Sequence, residues 1–413
     1  MNSQLFTNIH QLVGVRKETA LLRGKDLADL PVIKNAWLQV EGGRIANYGP
    51  MDELKSVGHK ISTVIDSKGA TVLPAWCDSH THLVFPASRE EEFVDKIKGK
   101  TYAEIAAKGG GILNSAKKLA ETSEDELFSQ AWRRLEEVSR LGTGAIEIKS
   151  GYGLTLEGEL KMLRVIKKLK ERSSLSIKST FLGAHTYPLE YKDNHQAYLD
   201  LLINEMLPVV AMEKLADYID VFCETGFFSP EETEKICMAG KSFGLRPKLH
   251  VNQLSSIGGV ETAIKLNALS ADHLETMTDA DIKNLSGSNT MGTLLPTAAF
   301  FLRMPFQPAR KLIDAGIPIA LASDFNPGSS PSGNMNLVVA MSCIGMRMLP
   351  EEAINAATIN GAHAIELERE LGSITIGKKA NLILTRPMPS LAYLPYSFGS
   401  NLIDKVLING EFI

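Results

Sequence analysis

Apolar and polar positions alternate at both ends of the chain and follow a different rhythm between them. "AWLQVEGGRIANYG" (36–49) switches apolar and polar residues around Gly42 and Gly43, the pattern of two strands joined by a tight turn. "GSITIGKKANLILT" (372–385) and "DKVLINGEFI" (404–413) carry the same period of two and read as hairpin strands. In the interior, short apolar runs alternate with longer stretches of helical period, such as 123–140, 157–172 and 258–267. Eight runs predict eight parallel strands: "TVLPAW" (71–76), "TGAIEIK" (143–149), "IKSTFLG" (177–183), "IDVFC" (219–223), "PKLHV" (247–251), "ALSADH" (268–273), "NTMGTLL" (289–295) and "IPIALAS" (317–323).

Eight strands with helical returns fit an α/β fold of the (β/α)8 TIM-barrel type, which takes ~250 residues before insertions. The expected division is a β-rich N-terminal part (1–70), the barrel (71–370) and a second β-rich part (371–413). An open doubly wound sheet would carry a glycine fingerprint in its first βα turn, where this chain has "CDSHTHL". "KGGGI" (108–112) follows no strand and lacks the GK[ST] ending of a phosphate loop, so it reads as a plain loop.

Composition narrows the function classes. The 413 residues are 44% hydrophobic and 22% charged, with a formal charge of −4, which argues against a nucleic-acid partner. No apolar run reaches the ~18–20 residues of a membrane span, and the first residues lack the basic start and apolar stretch of a secretion signal. Four cysteines (Cys77, Cys223, Cys237, Cys343) without a CxxC suit reduced thiols in the cytoplasm.

In a barrel, chemistry sits at the C-terminal ends of the strands. Those ends carry Asp78, His80 and His82; Lys149, Ser150 and Tyr152; His185; Glu224; His250; His273; Pro296; and Asp324. Five of the nine histidines fall there, whereas His10, His59, His195 and His363 read as surface or structural. Residues i and i+2 of an extended strand point the same way, so His80 and His82 face one point with Cα atoms about 6.5–7 Å apart. With His250 and Asp324 they make a four-ligand set that suits one zinc or iron ion and leaves room for a water. Barrels with two ions bridge them with a carboxylate, often a carboxylated lysine on strand four. Here that strand ends "VFCETG", so one metal is expected.

A lone metal with a water points to hydrolysis, with a proton carrier beside it. His273 is that candidate. Arg89 suits a substrate carboxylate, Tyr152 and His185 sit at adjacent mouths, and the loop "DFNPGSSPSG" (324–333) offers Asn326, Ser329 and the backbone near Gly328. Tyr102 is a further candidate.

From end to end, the chain resembles the amidohydrolase superfamily. The likeness rests on "PAWCDSHTHLVFPASREEEF", "GGGI", "EIKSGYGL", "FLGAH", "KLHVNQLSSIGG", "SADHLE", "SDFNPGSSP" and "GSITIGKKANLIL". "KSGYGL", the "FLGAH" histidine and "SDFNPG" point within it to the members that open the ring of 4-imidazolone-5-propanoate. The resemblance implies a small β-sandwich built from both termini, a homodimer, and hydrolysis of that small anion to N-formimidoyl-L-glutamate in histidine degradation. It also implies metal ligands at His80, His82, His250 and Asp324. Substrate contacts are implied at Arg89, Tyr152, His185, Gln253, Asn326, Gly328 and Ser329. Related barrels carry His-x-x-Glu on strand five, and "HVNQ" places Gln253 there. A glutamine exchanges no proton, so acid–base work is expected from His273 and Asp324. A purine or pyrimidine deaminase on the same fold would need the missing glutamate, and a non-catalytic scaffold would have lost ligands.

Overall fold

The computed structural model describes residues 3–56, 61–100, 104 and 110–413. Five strands open the chain: β1 (Ser3–Val13), β2 (Val32–Glu41), β3 (Arg44–Pro50), β4 (Thr63–Asp66) and β5 (Thr71–Pro74). Eight follow: β6 (Trp76–Asp78), β7 (Thr143–Lys149), β8 (Ser176–Ala184), β9 (Tyr218–Cys223), β10 (Arg246–Val251), β11 (Ser270–His273), β12 (Met291–Leu294) and β13 (Ile319–Leu321). The chain closes with β14 (Leu382–Thr385), β15 (Ile403–Ile408) and β16 (Glu411–Phe412).

Strands β6 to β13 pair in parallel in sequence order, with helices on the returns. Past the last strands the sheet closes. Asp324 N donates to His80 O at 3.0 Å and His82 N to Phe325 O at 2.9 Å. The seam of the barrel is therefore made by the segments that carry His80, His82 and Asp324. Side-chain caps set the helix starts: Ser123 Oγ accepts from Glu126 N before Glu124–Arg140, and Thr155 Oγ1 accepts from Gly158 N before Leu156–Arg172.

Both termini supply the second sheet, in the order β16-β15-β14-β5-β1-β2-β3 with β4 beside β1. Phe6, Ile9, Leu12, Leu38, Val40, Leu382 and Leu407 bury between its layers, giving the sandwich its own core beside the barrel's. Among the described residues no helix is long and apolar enough to cross a membrane.

Two strand expectations need correction. The run 71–76 is not one strand: Thr71–Pro74 lies in the terminal sheet, and the first barrel strand starts at Trp76. Pro74 has no N–H to carry a ladder onward, and the chain changes sheets just after it. Ala75 N donates to Asn381 O of the sandwich, and Trp76 N to Gly142 O of the barrel, both at 2.9 Å. Within 372–385 only Leu382–Thr385 is a strand. The segment before it makes single bonds to the N-terminal hairpin region, Ile374 N to Gly14 O and Gly377 N to Ile45 O, both at 2.8 Å. Tyr102, His59 and the first two residues of "KGGGI" lie outside the described residues.

Candidate metal centre and substrate cavity

His80, His82, His250, His273 and Asp324 converge at the C-terminal mouth of the barrel, each at most 3% exposed. His250 Nε2 lies 3.1 Å from His80 Nε2 and 3.3 Å from His82 Nε2. Asp324 Oδ1 is 3.5 Å from His82 Nε2 and 3.7 Å from His80 Nε2. Donors held tetrahedrally at 2.0–2.1 Å around one ion would stand about 3.3–3.4 Å apart, so this spacing fits a single metal.

The remaining nitrogens explain why these imidazoles aim inward. His80 Nδ1 meets Asp272 Oδ2 at 2.7 Å, and His250 Nδ1 lies 2.8 Å from Asp220 Oδ2. A carboxylate behind Nδ1 favours the proton there and leaves the Nε2 lone pair for a cation. Burial, with the Lys149 charge and the neighbouring imidazoles, holds the pKa values of His80 and His250 well below the ordinary range; burial and the surrounding imidazoles do the same for His82. All three stay neutral, the form that binds metal.

His273 is the exception. Burial pulls its pKa down, but Glu275, Asp324 and Asp272 outweigh that and leave it raised. Its Nδ1 faces Glu275 Oε1 at 3.4 Å, and Glu275 Oε1 in turn accepts from Gln307 Nε2 at 3.0 Å. The backbone at His273 (φ 88°) and Asp324 (φ 52°) lies in the left-handed region, a strained geometry common where side chains are held for function. Ser329 Oγ holds Asp324 Oδ2 at 3.3 Å, and Asn326 Oδ1 accepts from Gly328 N and Ser329 N, both at 2.8 Å.

A cavity of about 540 Å³ opens over this cluster. Arg89, Tyr152, His185, Gln253, Asn326, Gly328 and Ser329 line it together with His82, His250, His273 and Asp324. The structure thus brings the expected metal and substrate residues to one place, Tyr102 lying outside the described residues. Arg89 donates from Nε and Nη2 to Ser115 Oγ at 3.0 and 2.8 Å, with its guanidinium carbon 5.5 Å from the centre of the Tyr152 ring. A Cβ on Gly328 would run into Arg89 Nη1 and push the guanidinium from this position. His185 stacks on His82 with ring centres 5.3 Å apart. Its Nδ1 donates to Gly151 O at 3.0 Å, and burial draws its pKa down to about 4, leaving a neutral Nε2 acceptor.

Other strand-end residues turn away from the cavity. Glu224 holds the loop after β10, accepting from Leu254 N at 2.8 Å and Ser255 N at 3.2 Å. Lys149 points into the barrel beneath the histidines, and Ser150 Oγ accepts from Leu182 N at 3.0 Å. Asp220, Asp272 and Glu275 were not foreseen from the sequence. The signal for Asp220 was a lone charge within a largely apolar buried strand; for Asp272 and Glu275 it was their places beside His273 in "DHLE".

Comparison with known proteins agrees with this geometry. Residues 211–413 match the model of the Amidohydrolase family. Imidazolonepropionase of Flavobacterium johnsoniae is 60% identical over 410 residues, covering 99% of both chains. Imidazolonepropionase of Christiangramia forsetii is 56% identical with the same coverage. Among solved structures, a zinc-bound adenosine deaminase from Xanthomonas campestris superposes with a TM-score of 0.72 at 16% identity, covering 100% of this chain and 92% of its own. Escherichia coli guanine deaminase gives 0.72 at 12% identity, covering 100% and 99%. Those two share the fold; the sequence relatives carry the assignment. The chain belongs to the imidazolonepropionase family of amidohydrolases.

Proposed function

We propose that this protein adds water across the cyclic amide of 4-imidazolone-5-propanoate to give N-formimidoyl-L-glutamate, at one zinc or iron ion held by His80, His82, His250 and Asp324. The observation that carries the reading is that a metal-donor cluster and a guanidinium share one cavity. The chemistry an ion supplies there is Lewis acidity, which lowers the pKa of a water from 15.7 to about 7 and polarises the amide carbonyl.

The chain's own residues do the rest. Arg89 binds the propanoate carboxylate, with Tyr152 packed beside it and the Gly328–Ser329 backbone closing over it. His185 accepts a hydrogen bond from the ring, and Gln253 contacts the ring amide. His273, held by Glu275, takes a proton from the attacking water and returns it to the leaving nitrogen, with Asp324 sharing that work. Gln253 cannot protonate a purine or pyrimidine nitrogen, which separates this site from a deaminase on the same fold. Four free cysteines suit a reducing cytoplasm, and a homodimer is the assembly this reading carries.

The test supplies imidazolone propionate, made in situ from urocanate, and assays for formimidoylglutamate, with guanine and cytosine as competing substrates. Turnover of the imidazolone alone is expected. Release of ammonia from guanine or cytosine, with the imidazolone untouched, overturns the reading.

A further inference from the structure

Beneath the ligand histidines lie buried charges that the proposed chemistry does not use. Glu147 and Lys149 on β7, Asp220 on β9, Lys248 on β10 and Asp272 on β11 are each at most 1% exposed. Lys149 Nζ donates to Glu147 Oε1 at 2.6 Å and to Asp220 Oδ2 at 2.8 Å, and it stands 3.8 Å from Asp272 Oδ2. These two aspartates are the ones that back the ligands: Asp272 Oδ2 is hydrogen-bonded to His80 Nδ1, and Asp220 accepts from His250 N at its Oδ1 while its Oδ2 lies 2.8 Å from His250 Nδ1. In each aspartate the same oxygen faces both the ammonium and the imidazole. Lys248 is occupied elsewhere, with Glu147 Oε2, Ser79 O and Ala364 O.

We propose that Lys149 is a positioning residue of the metal centre, one buried cation that holds the carboxylates behind His80 and His250 and so aims both Nε2 atoms at the ion. The inference rests on the metal site proposed above. Two carboxylates buried around one point repel at low dielectric, and the ammonium between them fixes where their oxygens sit. The imidazole orientation follows the oxygen, and metal bonds tolerate little error in it. Lys149 remains charged: burial lowers its pKa, but Asp220, Glu147 and Asp272 together raise it beyond the ordinary lysine value.

The experiment is a cycle in metal-stripped full-length protein. Lys149→Met is made in the natural background and again in the Asp220→Asn/Asp272→Asn background. Co(II) affinity is measured against a competing chelator, together with the Co(II) absorption bands and the circular dichroism of the stripped protein. Loss of an outer-shell partner typically weakens metal binding ~10–100-fold. Lys149→Met is expected to do so in the natural background, with shifted bands, and to change affinity by less than about 3-fold when both aspartates are already amides. An equal penalty in the two backgrounds, or none in the first, overturns the proposal. If Lys149→Met does not fold, Lys149→Arg takes its place in the cycle with the same expectation, because it displaces the charge. Natural protein that takes up no Co(II) would refute the metal reading instead.

Discussion

His80 and His250 bring their Nε2 atoms to 3.1 Å across 170 positions of sequence. Because the Nδ1 of each faces a carboxylate, neither Nε2 is the natural carrier of a proton. Two lone pairs facing each other at that distance repel, and a shared cation turns the repulsion into attraction. The contact makes sense as two sides of one coordination sphere.

The first prediction separates metal binding from proton transfer. His250→Ala removes a donor and should empty the site or greatly weaken it. His273→Asn should keep close to one ion per chain and lose roughly 10²–10⁴-fold in kcat, the usual worth of general acid–base help. Elemental analysis beside single-turnover kinetics checks both. A metal-free His273→Asn protein would make His273 a ligand, and full activity would move the proton carrier to Asp324.

Arg89→Met tests the carboxylate clamp. Losing a partly desolvated charge pair costs about 2–5 kcal/mol of binding, so KM should rise steeply while metal content holds. Steady-state kinetics with parallel metal analysis decides it. An unchanged KM would place the clamp elsewhere.

Gly328→Ala probes the same contact from the other side, because the added Cβ meets Arg89 Nη1. Displacement of a positioned group by about 1 Å can cost up to about 10²-fold. The loss should appear in kcat/KM with the melting temperature little changed. A variant with natural kinetics would show that the loop yields freely.

The barrel was legible in the sequence because parallel strands buried on both faces read as apolar runs, and the strand ends placed His80, His82, His250 and Asp324 at one mouth. The split of residues 71–76 was not, because a run shared by two sheets looks the same as one strand; Pro74 was the mark of it. The carboxylates behind the ligands were harder still. Asp272 stands 192 positions from His80 and Asp220 stands 30 from His250, the imidazoles they back, and only the closed barrel brings each pair together.

The terminal sandwich gives a stability prediction. Gly43 has φ +79°, and a Cβ there would come within 2.5 Å of Asn409 O, where the N-terminal hairpin meets the C-terminal one. Gly43→Ala should lower stability by more than about 1 kcal/mol. Far from the cavity, it should leave kcat and KM at 25 °C unaltered. Thermal denaturation followed by kinetics checks this, and a variant as stable as the natural protein would mean that the two hairpins separate without cost.

Hydrolysis at a single metal centre makes turnover depend on one ion per chain. The direct measurement strips the protein of metal and titrates zinc or iron(II) back while following formimidoylglutamate formation from the imidazolone. Activity should be absent at the start, rise linearly and break at about one ion per chain, the capacity of one four-ligand set. A break at two ions per chain, or undiminished turnover by the stripped protein, would contradict it.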